Sequence, residues 1–127
     1  MNILPGLKYN NSDEWVKVEG KIATIGVSDY AQEQLSDIVF VEITTAPGET
    51  ISKNDVIATL ESVKAAADVL APVSGKVVSI NEDLSQTPEV VNSDPYTKAW
   101  IIKVELANPA ELDKLMDAAA YEKNCAE

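Results

Sequence analysis

The chain has 127 residues and a formal charge of −11, from 21 Asp and Glu against 10 cations, every one of them lysine. Without arginine forks or clustered positive charge it argues against a nucleic-acid partner, whose phosphates this surface would repel. It has no histidine, which removes Ser-His and Cys-His nucleophile pairs, an imidazole base and the usual zinc sets.

Apolar and polar residues alternate at period two in short segments, the signature of half-buried strands. In chain order the predicted strands are 14–19, 21–27, 38–43, 55–61, 67–71, 76–80 and 100–106. In the last of these Trp100, Ile102, Val104 and Leu106 are expected on one face, and Ile101, Lys103 and Glu105 on the other. Between the strands lie Gly20, Pro47-Gly48, Ser52-Lys53-Asn54, the Pro72-to-Gly75 segment and Asn92-Ser93-Asp94-Pro95, all turn-forming. Helix signals stand at three places: Asp29 with Gln32 as a capping box before Leu35, Thr87-Pro88 as an N-cap with proline behind it, and Asn108-Pro109-Ala110-Glu111. The last opens a predicted C-terminal helical segment over 109–124, broken near Asp117, with Leu112, Leu115, Met116 and Tyr121 packing on the sheet. The expectation is one mostly β domain over 1–127, with flanking helices.

At mid-chain, Ser62-Val63-Lys64-Ala65-Ala66 separates two strands, which predicts a hairpin tip carrying Lys64. Searches for catalysis find little else. Acid pairs such as Glu61 with Asp68, or Asp13 with Glu14, are expected by chance at this acidity. No glycine-rich phosphate loop is present, and Asn92-Ser93-Asp94 lacks the later ligands of a calcium loop. Cys125, the single cysteine, allows no intrachain disulfide and suits a reducing compartment, in a lightly packed place near the chain end. No signal peptide or transmembrane segment is predicted, and the acidity favours a monomer steered onto basic partners.

Leu60-Glu61-Ser62-Val63-Lys64-Ala65, followed by Asp68 and Ala71-Pro72-Val73-Ser74-Gly75, resembles the lipoyl-attachment segment of glycine cleavage H proteins. The likeness extends along the chain. Gly6-Leu7-Lys8-Tyr9, Ser12, Glu14-Trp15-Val16, Ala23-Thr24-Ile25-Gly26-Val27 and Val39-Phe40-Val41-Glu42 precede that segment in family order. Asn92-Ser93-Asp94-Pro95-Tyr96 and Trp100-Ile101-Ile102-Lys103 follow it. Five features depart from the pattern: Asp13 replaces the usual histidine, Ser36 and Asn54 stand where glycine is common, Thr44-Thr45-Ala46 adds a residue before Pro47-Gly48, and Lys98-Ala99 replaces a glycine-containing turn.

The resemblance implies a barrel-sandwich hybrid with a lipoyl-lysine on the hairpin tip. It implies a non-catalytic carrier with lipoic acid in amide linkage to Lys64, an arm reaching about 13 Å from the backbone. The implied work is to accept an aminomethyl group from a pyridoxal-phosphate glycine decarboxylase (P protein). The arm then serves an aminomethyltransferase (T protein) and dihydrolipoyl dehydrogenase (L protein). By the same resemblance Glu61 helps a lipoylating enzyme recognise the hairpin, Gly75 permits the turn behind it, and Ser12, Glu14 and Asp68 line the aminomethyl-lipoyl cleft. Bacterial cytoplasm or mitochondrial matrix would be its compartment. The alternatives are an H-like protein serving lipoate relay, another swinging-arm carrier, or an unmodified acidic interaction module. Val63 and Ala65 stand where biotin acceptors place methionines.

Overall fold

The computed structural model describes residues 2–126; Met1 and Glu127, the ends of the predicted domain, lie outside the described residues. Among the described residues nine strands form two antiparallel sheets: β1 (Lys8–Tyr9), β2 (Glu14–Glu19), β3 (Ile22–Val27), β4 (Ile38–Ile43), β5 (Thr50–Ile51), β6 (Val56–Ser62), β7 (Ala66–Leu70), β8 (Gly75–Ile80) and β9 (Ile102–Leu106). The larger sheet runs β1-β2-β3-β9-β8-β5 and the smaller β4-β6-β7. Their inward residues, among them Val16, Ile25, Val41, Leu60, Val69, Val77 and Val104, make one apolar core, as period-two alternation requires.

All seven predicted strands are present, with ends shifted by a residue or two. The two-residue strands β1 and β5 carry too little alternation to be seen in advance. The last strand is shorter than predicted, because the Asn81 side chain donates to the carbonyls of Lys98 and Trp100 at 2.9 and 2.8 Å and holds that stretch outside the ladder. Ile101 is therefore fully buried rather than facing outward with Lys103. Trp100 turns to the opposite side from Ile102, beneath the Lys103 ammonium at 5.0 Å.

The helix starts also differ in detail. The helix α1 (Asp29–Leu35) is capped one residue earlier than predicted: the Ser28 hydroxyl accepts from the Ala31 amide, and Asp29 instead binds the Gln32 side chain. Thr87 caps nothing. Its hydroxyl donates to the Asp83 carbonyl, and the short helix α2 (Val90–Ser93) begins beyond it. Asn108 does cap as expected, but the C-terminal segment is two pieces, a 3-10 helix over Pro109–Lys114 and the helix α3 (Ala118–Ala126). Asp117 accepts from the Ala120 amide at the break. Between the pieces Met116 exchanges backbone hydrogen bonds with Tyr9, tying the C-terminal end to β1. Tyr121 then stacks on Tyr9 with ring centroids 4.5 Å apart, part of a second apolar cluster that includes Trp15 and the half-buried Cys125. Cys125 is thus packed rather than loose, and burial pushes its thiol up.

Gly75 does not supply a left-handed turn. It opens β8, where a Cβ would sit 2.2 Å from the Glu105 carbonyl oxygen, so close strand approach is what demands glycine.

Candidate functional site

The tip between β6 and β7 is organised by one hydroxyl. Ser62 Oγ accepts from the amides of Lys64 and Ala65 and donates to the Ala65 carbonyl, while the Ser62 amide donates to the same carbonyl at 2.7 Å. Lys64 stands exposed on this turn between Val63 and Ala65, both also exposed. One further hydrogen bond, from the Val63 amide to the Asp37 carbonyl at 3.0 Å, ties the tip to the connection between α1 and β4.

That connection is itself clamped. Asn92 on α2 donates to the Gln32 side chain and the Ser36 carbonyl, and accepts from the Ile38 amide at 2.8 Å. Ser36 needs the support: φ 68° and ψ −155° lie in a region almost confined to glycine. Asn54 likewise has positive φ, 78°. At both positions the resemblance to H proteins leads one to expect glycine, and both do take the positive φ that glycine favours.

Ser12 and Glu14, close together in sequence, meet the distant Asp68 at a pocket of about 170 Å³ whose apolar wall includes Leu35, Leu60 and Val69. Glu14 is its fixed acid, only 1 % exposed at the start of β2. Ser12 Oγ and Asn10 Nδ2 donate to its Oε1, and the Leu70 amide on the free edge of β7 donates to Oε2 at 3.2 Å. Burial nevertheless dominates and pushes its pKa from 4.5 to about 7, with Asp13 adding a like charge. Asp68 is exposed at the pocket lip and accepts from the Thr59 hydroxyl at 3.3 Å. A small pocket with a buried carboxyl group, a hydroxyl and a second carboxylate at its mouth suits an alkylammonium group. Glu61 lies elsewhere, exposed on the outer face of β6 opposite Phe40 and Ala66.

Asp13, beside Glu14, adopts a positive φ of 77°. Its carboxylate accepts from the Tyr121 hydroxyl at 2.8 Å, and that hydroxyl lies 2.6 Å from Ser28 Oγ. With the Ser28 hydroxyl donating to Tyr121 and Tyr121 to Asp13, every group is satisfied, and α3, the start of α1 and the pocket turn share one network. Burial holds the Asp13 carboxyl above its ordinary range, against the lowering effect of the Tyr121 hydrogen bond. Neither Asn10, Asn92 nor Tyr121 stood out in the sequence as a site residue; only Asn92 carried a signal, within the Asn92-to-Tyr96 stretch.

A family model described as Glycine cleavage H-protein matches residues 7–127. The chain belongs to that family. The glycine cleavage system H protein of Carboxydothermus hydrogenoformans is 52 % identical over 124 residues, 97 % of this chain and 95 % of that one. A mitochondrial glycine cleavage system H protein from Flaveria pringlei is 50 % identical over 126 residues, 99 % of this chain and 77 % of that protein. Among solved structures, a glycine cleavage system H protein from Mycobacterium marinum matches with a TM-score of 0.88 at 27 % identity, covering 98 % of this chain and all of the other. The open two-sheet sandwich is thus the fold of the H-protein family. Among the described residues no helix is long and apolar enough to cross a membrane.

Proposed function

We propose that this chain is the lipoyl carrier of a glycine cleavage system, with Lys64 as the attachment residue. The observation that carries the reading is the pairing of an exposed lysine on a tightly built hairpin tip with a small pocket around a buried carboxylate. The tip fits the group: the Lys64 amine stands open to a modifying enzyme, and Ser62 holds the turn through backbone amides without engaging the lysine side chain. When bound, lipoate supplies a dithiolane that accepts an aminomethyl group and, as the dithiol, returns electrons to a dehydrogenase. The chain's own residues supply binding and positioning.

Ser12, Glu14 and Asp68 form the amine subsite. An incoming ammonium stabilises ionised Glu14, so occupancy draws its proton off and converts a partly neutral acid into a full counter-ion. The Leu35, Leu60 and Val69 wall excludes water from that contact. Glu61, outside the pocket, is left free to be read by the lipoylating enzyme. The decarboxylase, aminomethyltransferase and dihydrolipoyl dehydrogenase are the enzymes this carrier serves, and the acidic surface favours rapid encounters with basic patches on them.

Lys64→Arg tests the reading. The variant should melt with wild type, within about 0.5 kcal/mol, yet gain no lipoyl mass from a lipoylating enzyme and support no glycine decarboxylation. A lipoyl increment on another residue, with activity retained, would remove Lys64 from the role.

A further inference from the structure

Six large apolar side chains are notably exposed among the described residues, and three of them gather beside Lys64: Val39 at 54 %, Phe40 at 44 % and Val63 at 67 %. The cause is a bulge in β4. Ile38 pairs with Ser62 and Phe40 with Glu61, so Val39 has no partner, the alternation slips, and two consecutive apolar residues leave the core. Ile38 and Val41 on either side remain buried. The backbone hydrogen bond from the Val63 amide to the Asp37 carbonyl places Val63 against the start of β4, two residues from Val39, and Asp37, Glu42 and Glu61 border this stretch, all exposed. The core gains nothing from turning these residues outward, which points to a contact made with another molecule.

We propose that Val39, Phe40 and Val63 are the seat of the enzyme that attaches lipoate, a protein offering an apolar depression rimmed by lysine and arginine. This rests on the carrier reading. Geometry favours that occupant over enzymes that use the finished arm. The lysine amine lies roughly 6 Å from its own backbone, so an active site that closes on it must cover the side chains next to the tip. An enzyme met at the end of the longer arm can stand off. The bordering carboxylates set the sign of the partner's rim.

The test uses the apo protein, a purified lipoylating enzyme, lipoate and ATP, with intact mass as readout. The lysine amine attacks an activated acyl adenylate, the amide C–N bond forms as the bond to AMP breaks, and a proton passes to solvent. Phe40→Ser should raise KM for the apo protein roughly tenfold with kcat changed by less than about twofold, as expected for loss of an apolar anchor. Val39→Lys, which leaves the buried face intact and opposes the cationic rim, should do the same. Val78→Ser on β8, at a side chain 43 % exposed, is the control and should match wild type. Wild-type KM should rise with added salt. As a readout independent of loading, Lys64→Arg protein titrated with the enzyme should show amide shifts at Val39, Phe40 and Val63. Wild-type KM in both patch variants, or an equal loss in Val78→Ser, overturns the docking seat while leaving the carrier reading intact. A wild-type protein that takes no lipoyl group overturns both.

Discussion

The hairpin tip at Lys64 and the turn over residues 10–14 are built on different terms. The tip is held by its own serine and one backbone bond to Asp37, and Lys64 contributes to the turn only through its backbone amide, not its side chain. The turn is wired into distant parts of the chain: Glu14 to Leu70, 56 residues away, and Asp13 to Tyr121, 108 residues away. Presenting an arm needs only a local structure that an enzyme can enclose. Holding a charged group needs a desolvated acid, and an acid is desolvated only when separate segments close around it.

That contrast can be tested through stability, where changes at the turn should register and changes at the tip should not. Glu14 carries the largest expected effect. Because burial raises its folded pKa to about 7, the wild-type fold is favoured while Glu14 is protonated and loses stability as pH rises from about 4.5 through 7. That loss amounts to about 3 kcal/mol. In denaturation curves across this range Glu14→Gln should lack that slope, gaining on wild type by a similar amount between pH 4.5 and 8. Parallel curves would mean that Glu14 is solvated in the folded protein. Tyr121→Phe should cost about 2 kcal/mol at pH 7, since it strips the Asp13 carboxylate of its donor. An NMR titration should also show the Asp13 pKa rising further in that variant. Ser36→Gly should act oppositely, stabilising the protein by about 1 kcal/mol, because relief of a glycine-only conformation outweighs the added freedom of the unfolded chain. The Lys64→Arg change described above completes the scale, near zero in stability and complete in function. A tip substitution that cost as much as Tyr121→Phe would erase the distinction between the two regions.

The same contrast explains what could be read from sequence. The seven longer strands were legible because alternation is local, and the tip because a polar, small-residue break between two strands is local too. Ser36 and Asn54 were visible as departures from a glycine pattern, and both do adopt positive φ. The pocket around Glu14 was not legible in this way. Ser12, Glu14 and Asp68 came together only through resemblance to a family, since nothing in a linear chain announces that the edge of β7 will lie against Glu14. Trp100 was misplaced for a related reason. Alternation assumes an unbroken ladder, and the two hydrogen bonds from Asn81, 17 and 19 residues away, end the ladder before Trp100. The caps at Ser28 and Asn108 differ only in that the first was obscured by a neighbouring Asp with a matching Gln three residues on.

The hydrogen bond from Leu70 to Glu14 also bears on how the molecule behaves in a crowd. A small sheet ending in β4 and β7 has two open borders, each able to accept a strand from another chain and begin an aggregate. On β7 a carboxylate occupies one of the amides such a strand would need, and on β4 the bulge at Val39 breaks the regular spacing it would follow. The same carboxylate that closes the pocket, and the same bulge that exposes Val39, thereby also obstruct runaway self-pairing.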